Sequence, residues 1–252
     1  MTQAIANAYQ AATDALAGKV ILITGAGDGI GKSLALASAK AGAQVILLGK
    51  TTKKLEAVYD QIMANGSPEP AIVPMDLNGA TEEHYQGLSE TIEAQYGKLD
   101  AVVNNAGRLG VLGPFAHTEK KSFDEVMKVH VSAPLFLTKA LLPVLQKADN
   151  ASVIFTSSGV GKKGRAFWGP YAIAKFATEG MMQTIADEFE GSSIRVNAIN
   201  PGATKTRMRA QAFPAEDTSL LKTADEVLAP YLYLLSDDSI GCNGKSIDAQ
   251  PK

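Results

Sequence analysis

Val20-Ile21-Leu22-Ile23-Thr24-Gly25-Ala26-Gly27-Asp28-Gly29-Ile30-Gly31 runs from an apolar tetrad straight into four alternating glycines. The tetrad reads as a strand buried on both faces, where β-branched side chains pack well. Apolar residues then recur at helical spacing from Ile30 to Ala41. A glycine-rich strand-to-helix turn lets backbone N–H groups approach a phosphate closely. The helix that follows points its positive N-terminal end at the same anion. The expectation is a nucleotide site built from Gly25, Gly27, Asp28, Gly29, Ile30 and Gly31. Two chemistries compete for it. The spacing is T-G-x-x-x-G-x-G, not the strict dinucleotide pattern G-x-G-x-x-G. Ala26 to Ser33 also matches a P-loop except at its first glycine. In that reading Lys32 reaches the β/γ-phosphates, Ser33 holds magnesium, and Asp76 imitates the second magnesium-binding strand. On this stretch alone both readings stand.

Outward from it, strands are predicted at Val45–Leu48, Ala71–Val73, Leu99–Val103, Val153–Phe155, Ile194–Ile199 and, weakly, Lys245–Ile247. Helices are predicted over Lys53–Ala64, Thr81–Tyr96, Lys121–Leu145, Tyr171–Phe189 and Thr223–Leu235. Strands alternating with helices imply an α/β fold, a parallel sheet with helices on both faces. Right-handed crossovers give the doubly wound strand order 3-2-1-4-5-6 of the Rossmann fold, with room for a seventh strand. We expect one domain over residues 1–252, with residues 1–16 an Ala-rich extension that forms one helix.

Lys+Arg number 24 and Asp+Glu 26, for a net charge of −2, which excludes a nucleic-acid binder driven by basic charge. Cys242 is the only cysteine, so neither an intrachain disulfide nor a Cys-based zinc site can form. His84, His117 and His130 fall in no metal-binding spacing, and no metal is expected. The first residues lack the basic and apolar regions of a signal peptide, and no uninterrupted apolar run approaches membrane length. A cytoplasmic protein without nucleic-acid or membrane partners is expected.

The second half of the chain decides between the two nucleotide chemistries. Tyr171 and Lys175 lie four residues apart and so share a helix face. A nearby cation favours the phenolate, which suits tyrosine to exchange a proton near neutral pH. Ser157-Ser158 ends the preceding strand, and in a doubly wound sheet the carboxyl ends of strands face the ligand crevice. Ser158, Tyr171 and the glycine turn are therefore expected to converge.

Five motifs in order carry a resemblance: Thr24-Gly25 to Gly31, Asp76-Leu77, Asn104-Asn105-Ala106-Gly107, Ser158 with Tyr171 and Lys175, and Pro201-Gly202 with Thr206. From about residue 16 to 250 the chain resembles the short-chain dehydrogenases/reductases. Trp168 to Ala172 and Lys175 to Gly180 most resemble a bacterial subgroup, the YciK-type oxidoreductases. The resemblance implies that Tyr171 exchanges the substrate proton and that Ser158 hydrogen-bonds the substrate oxygen. It implies that Lys175 binds the nicotinamide ribose and lowers the Tyr171 pKa. Asn105 and Gly107 would line the ribose and the floor of the cofactor site. Asp76 would bond the adenine amino group, with Leu77 beside it. Pro201, Gly202, Thr204 and Thr206 would lie along the nicotinamide. Lys32 and Ser33 become ordinary helix residues. The sequence departs from the family at Val129-His130-Val131, where an Asn is usual, so a proton relay through that position is in question.

After the second strand, Leu48-Gly49-Lys50-Thr51 holds no acid to bind the ribose hydroxyls of NAD, while Lys50 suits the 2′-phosphate of NADP. NADP is the expected cofactor, although Asp28 and the forkless Lys50 ammonium weigh against it. Phe167, Trp168 and Phe213 are candidates for an apolar substrate wall, and Lys205, Arg207 and Arg209 for attraction of an anion. The expected reaction interconverts a small-molecule carbonyl and an alcohol. A non-catalytic nucleotide sensor on the same fold is the alternative, and a P-loop hydrolase a remote one. Apolar and small residues along Ala133–Leu145 and Ala172–Ile185, together with the family's habit, point to a homodimer or homotetramer.

Overall fold

The computed structural model describes residues 2–251. Helix α1 (Thr2–Ala8) precedes β1 (Val20–Thr24), α2 (Gly29–Lys40), β2 (Gln44–Gly49), α3 (Thr52–Ala64) and β3 (Ala71–Pro74). Next come α4 (Glu82–Tyr96), β4 (Ala101–Asn104), α5 (Lys120–Met127), a π-helical turn at Lys128–Ser132, and α6 (Ala133–Leu145). Then follow β5 (Ala151–Thr156), α7 (Gly169–Glu188), β6 (Ile194–Asn200), α8 (Arg207–Ala212), α9 (Ala229–Leu235) and β7 (Ser246–Asp248).

The strands form one parallel sheet in the order β3-β2-β1-β4-β5-β6-β7, as expected, with the seventh strand at the edge. Strand β1 pairs with both β2 and β4, with Ile23 opposite Leu47 on one side and Val103 on the other. The connections on its two flanks run to opposite sides, which opens a crevice at the carboxyl ends of β1 and β4. All five β1 residues are buried, because each face of the sheet is covered. Ile21 and Ile23 pack with Leu34, Val58 and Tyr231 under α2, α3 and α9. Leu22 points the other way, among Leu88, Ile92, Leu137 and Leu141 of α4 and α6. The alternation follows from the two-residue period of a strand, and each fully buried Leu or Ile contributes about 1.5–3 kcal/mol.

Several boundaries differ from the sequence expectation. Leu99 is not in β4; its N–H donates to the Val144 carbonyl at 2.9 Å and anchors the turn beneath α6. The late helix is broken. A 3-10 turn covers Asp225–Val227, its entry held by Glu226 accepting from the Thr223 N–H at 2.7 Å, and α9 begins only at Ala229, beside Pro230. In the N-terminal extension only Thr2–Ala8 is helical, with Met1 outside the described residues. There Asn7 donates to the Asp248 carbonyl at 2.9 Å and Gln3 accepts from its N–H at 2.8 Å, covering the edge strand. The run Lys120–Leu145 is long and apolar enough to cross a membrane, but half of its most apolar stretch is buried inside this fold.

Candidate active site

The glycine turn is shaped from within. Gly25 and Gly29 adopt φ of 70° and 50°, a left-handed backbone that glycine enters without a Cβ penalty. Asp28 caps α2, its carboxylate accepting from the Gly29 N–H at 2.9 Å. Its second oxygen pairs with Lys54 of α3, and that ammonium holds the carboxyl below its usual range. Gly25, Gly27, Asp28, Gly29 and Ile30 line a cleft of about 1090 Å³. Gly31 is not among these lining residues. A Cβ on Gly31 would stand 2.3 Å from the Gly25 carbonyl oxygen and 2.6 Å from the Asn105 amide nitrogen, so this glycine lets α2 pack against the turn. Lys32 and Ser33 also lie outside the cleft lining, away from where a P-loop would use them.

Thr24 and Asn105 join the two strand ends that flank the crevice. The Thr24 hydroxyl accepts from the N–H groups of Asn105 and Ala106, both at 2.9 Å. The Asn105 amide donates to the Thr24 carbonyl at 3.0 Å. Asn105 thus lines the cleft with its amide nitrogen committed to holding the floor. Gly107 leaves space that a Cβ would take from His130, 2.9 Å away. Lys50, Asp76, Leu77, Pro201, Gly202, Thr204 and Thr206 all line the same cleft.

Ser158, Tyr171 and Lys175 meet in it. Pro170 fits the first turn of α7, where its missing N–H costs nothing, and the next residue presents its phenol to the crevice. The Lys175 ammonium lies 5.6 Å from the Tyr171 ring centroid and donates to the Thr156 carbonyl at 2.6 Å. Burial pushes the Lys175 pKa down to about 7, opposed by Glu179. Burial also pushes the Tyr171 phenol up to about 12, opposed only by the Ser158 hydroxyl. Desolvation of the phenolate thus dominates the Tyr171 phenol in this structure. At neutral pH the phenol holds its proton.

His130 takes the place of the usual Asn, and the π-helical turn that carries it was not visible in the apolar spacing. Such one-turn insertions recur at functional sites. The ring is buried, and its Nε2 lies 2.9 Å from the Arg108 N–H and 2.8 Å from the Arg108 carbonyl. Burial, aided by the Lys175 charge, lowers its pKa to about 3, so the imidazole is neutral and pins the Arg108 backbone. It stands edge-on to Tyr171, with ring centroids 5.3 Å apart.

Trp168 lines the cleft, 5.8 Å from Tyr171 and 5.7 Å from Phe213 between centroids, while Phe213 packs behind it and is not among the lining residues. Phe167 does not line the cleft either. This residue is 62% exposed with φ of 72°, and its carbonyl accepts from the Gly113 N–H at 3.0 Å. Of the basic residues, Arg207 lines the cleft unpaired among the described residues, whereas Arg209 is stacked 3.8 Å over Phe213 and paired with Glu216. Lys54, Thr51, Asn200 and Met208 also line the cleft. Thr51 stands beside Lys50, where the sequence offers its hydroxyl as a further donor; the other three carry no local motif and were missed from sequence.

A family model described as short chain dehydrogenase matches residues 19–217. The oxidoreductase YciK of Escherichia coli strain K12 is 47% identical over 243 residues, 96% of each chain. A short chain dehydrogenase of Shigella flexneri 2a, solved in complex with NADP, superposes with a TM-score of 0.93 at 47% identity, covering 95% of this chain and 100% of that one. One from Escherichia coli CFT073, solved with NADPH, has the same TM-score, identity and coverage. The matched sequence spans the glycine turn, the Asn105 floor and the Tyr171–Lys175 face alike, and the chain belongs to the short-chain dehydrogenase family.

Proposed function

We propose that this protein reduces a small-molecule carbonyl to an alcohol with NADPH. The observation that carries the reading is the convergence of the buried Tyr171 phenol with Ser158 and Lys175 in the crevice. The residues present fit the cofactor. The cleft is large enough for a dinucleotide, the glycine turn keeps its floor clear of side chains, and Lys50 follows β2 where an acid would select NAD. The relatives solved with NADP and NADPH support the same assignment.

NADPH, when bound, supplies the hydride. The turn from Gly25 to Ile30 holds phosphate through backbone N–H groups and the start of α2. Lys50 holds the 2′-phosphate, Asp76 with Leu77 the adenine, and Asn105, Gly107 and Lys175 the nicotinamide ribose. Pro201, Gly202, Thr204 and Thr206 flank the nicotinamide. Ser158 donates a hydrogen bond to the substrate oxygen, where negative charge develops. Tyr171 gives that oxygen its proton, and a charged Lys175 stabilises the phenolate left behind. Trp168, backed by Phe213, offers the substrate an apolar surface beside Tyr171. A panel of aldehydes and ketones with NADPH tests the reading. Turnover of at least some is expected, and binding of NADPH without any turnover would favour the nucleotide-sensor reading.

Lys50→Asp is expected to weaken NADPH binding roughly 10- to 100-fold, the loss of about 1.5–3 kcal/mol for a bond to a charged group. NADH should bind the variant at least as well as before. Equilibrium titration with both cofactors checks this; tighter NADH than NADPH binding by the unaltered protein contradicts the role of Lys50.

The same reading includes a cytoplasmic location, one domain over the whole chain, and a homodimer or homotetramer. Leu135 on α6 and Ile173 and Phe176 on α7 are 41–47% exposed, apolar area that association would remove from water at about 25 cal/mol per Å². Sedimentation at micromolar concentration is expected to show a multiple of the 26.4 kDa chain mass, and a species of one chain mass contradicts it.

A further inference from the structure

Glu179 is a buried carboxylate that the reading above does not use. It is 6% exposed and stands on α7 one turn beyond Lys175, on the same helix face. Its Oε1 accepts from the Ser246 hydroxyl at 2.9 Å and from the Ser157 hydroxyl. It thereby ties α7 to β7 and to the end of β5, next to Ser158. Two serine hydroxyls carry no formal charge, and a buried carboxylate needs a cation to offset its lost hydration. Lys175, 4% exposed, is the cation on that face, and it too is buried. Lys175 is faced by the Tyr171 phenol on its own helix, by neutral His130 from the π-helical turn, and by the Thr156 carbonyl from β5. The Tyr231 hydroxyl of α9 lies behind Thr156, at 3.1 Å from its hydroxyl. None of these is an anion.

We propose that Glu179 is a positioning residue whose negative charge keeps Lys175 protonated and whose bond to Ser157 holds the strand end that carries Ser158. The inference rests on the reading of Lys175 as the residue that binds the nicotinamide ribose. Without Glu179, burial alone would push the ammonium toward neutrality, and a neutral lysine loses both a donor and the charge that stabilises the Tyr171 phenolate. Glu179 opposes that push.

Glu179→Gln separates charge from shape, since its amide oxygen can still accept from both serines. The readout is NADPH affinity against pH, followed by energy transfer from Trp168, the only tryptophan, to the bound cofactor. No carbonyl substrate is present. Absence of turnover therefore speaks only to the enzymatic reading, and a change in this profile only to Glu179. A protonated Lys175 binds, so affinity falls as pH rises through its titration. In Glu179→Gln that fall should move to lower pH by about one unit, the low end of the range for a nearby opposite charge. Titration of the cofactor's own phosphate is common to all variants and cancels. Ser246→Ala and Ser157→Ala remove ties but keep the charge, and should leave the midpoint unchanged. A wild-type midpoint in Glu179→Gln overturns the proposal, as does a wild-type affinity that is flat across neutral pH. If Glu179→Gln fails to fold, a one-unit shift in either serine variant does so equally.

Discussion

Tyr171→Phe is expected to lower carbonyl turnover by about 10²–10⁴-fold, the usual cost of removing a general acid. NADPH binding should be nearly unchanged. The ring stays in place, held edge-on between His130 and Trp168 with centroids 5.3 and 5.8 Å away, so the loss is confined to one hydroxyl. What disappears is a proton donor whose pKa burial has raised to about 12. Ser158 cannot replace it, because a serine hydroxyl beside the substrate oxygen stabilises charge without a comparably acidic proton. The effect should appear in kcat and kcat/KM together, as for an interaction made only in the transition state. Steady-state kinetics with the best substrate of the panel checks it, and wild-type turnover in the variant contradicts the assignment of Tyr171.

Gly31→Ala is the second large effect. One methyl group there meets the Gly25 carbonyl oxygen at 2.3 Å and carbon at 2.8 Å, as well as the Asn105 amide at 2.6 Å. Two of these atoms are backbone and cannot rotate away. The start of α2 must retreat from the turn, and it carries the Asp28 cap and the N–H groups that face phosphate. Overpacking of this kind costs about 1–3 kcal/mol, or roughly 3–10 °C in Tm for a chain of this size. NADPH affinity should fall with it. Gly87→Ala is the matched control. That glycine sits inside α4 with nothing within 4 Å of a new Cβ, so alanine there should stabilise by about 0.5–1 kcal/mol. Thermal unfolding of the two variants with and without NADPH checks both. A Gly31→Ala protein as stable as the parent, with parental cofactor affinity, contradicts the packing account.

The order of the sheet was readable from sequence because a parallel sheet covered on both faces needs continuous apolar strands such as Val20–Ile23, and helices must alternate with them. The crevice followed, since the strand order reverses beside β1. Other features depend on distances that no local pattern records. Gly31 lies in the glycine motif, but whether its Cα faces a ligand or the Gly25 carbonyl depends on how α2 seats on the turn. The π-helical turn at Lys128–Ser132 shifts the ladder by one residue, too little to disturb the apolar spacing of a long helix. Phe167 and Trp168 are adjacent aromatics, and with a left-handed backbone at Phe167 only Trp168 lines the cleft. Lys54 pairs with Asp28 across 26 residues and two elements. Glu179 looks like any glutamate on a helix until β5 and β7 close over it. The pKa of Tyr171 is a balance between burial and neighbours, and sequence shows the neighbours only.

Hydride transfer itself is open to direct measurement. NADPH deuterated at the transferable C4 position is incubated with the best aldehyde or ketone, and the alcohol is analysed by mass spectrometry. One deuterium on the former carbonyl carbon is expected, with the hydroxyl proton drawn from solvent through Tyr171, and with product formation lost in Tyr171→Phe. Alcohol that carries no deuterium at that carbon, or no alcohol from any carbonyl while NADPH is bound, would contradict the account.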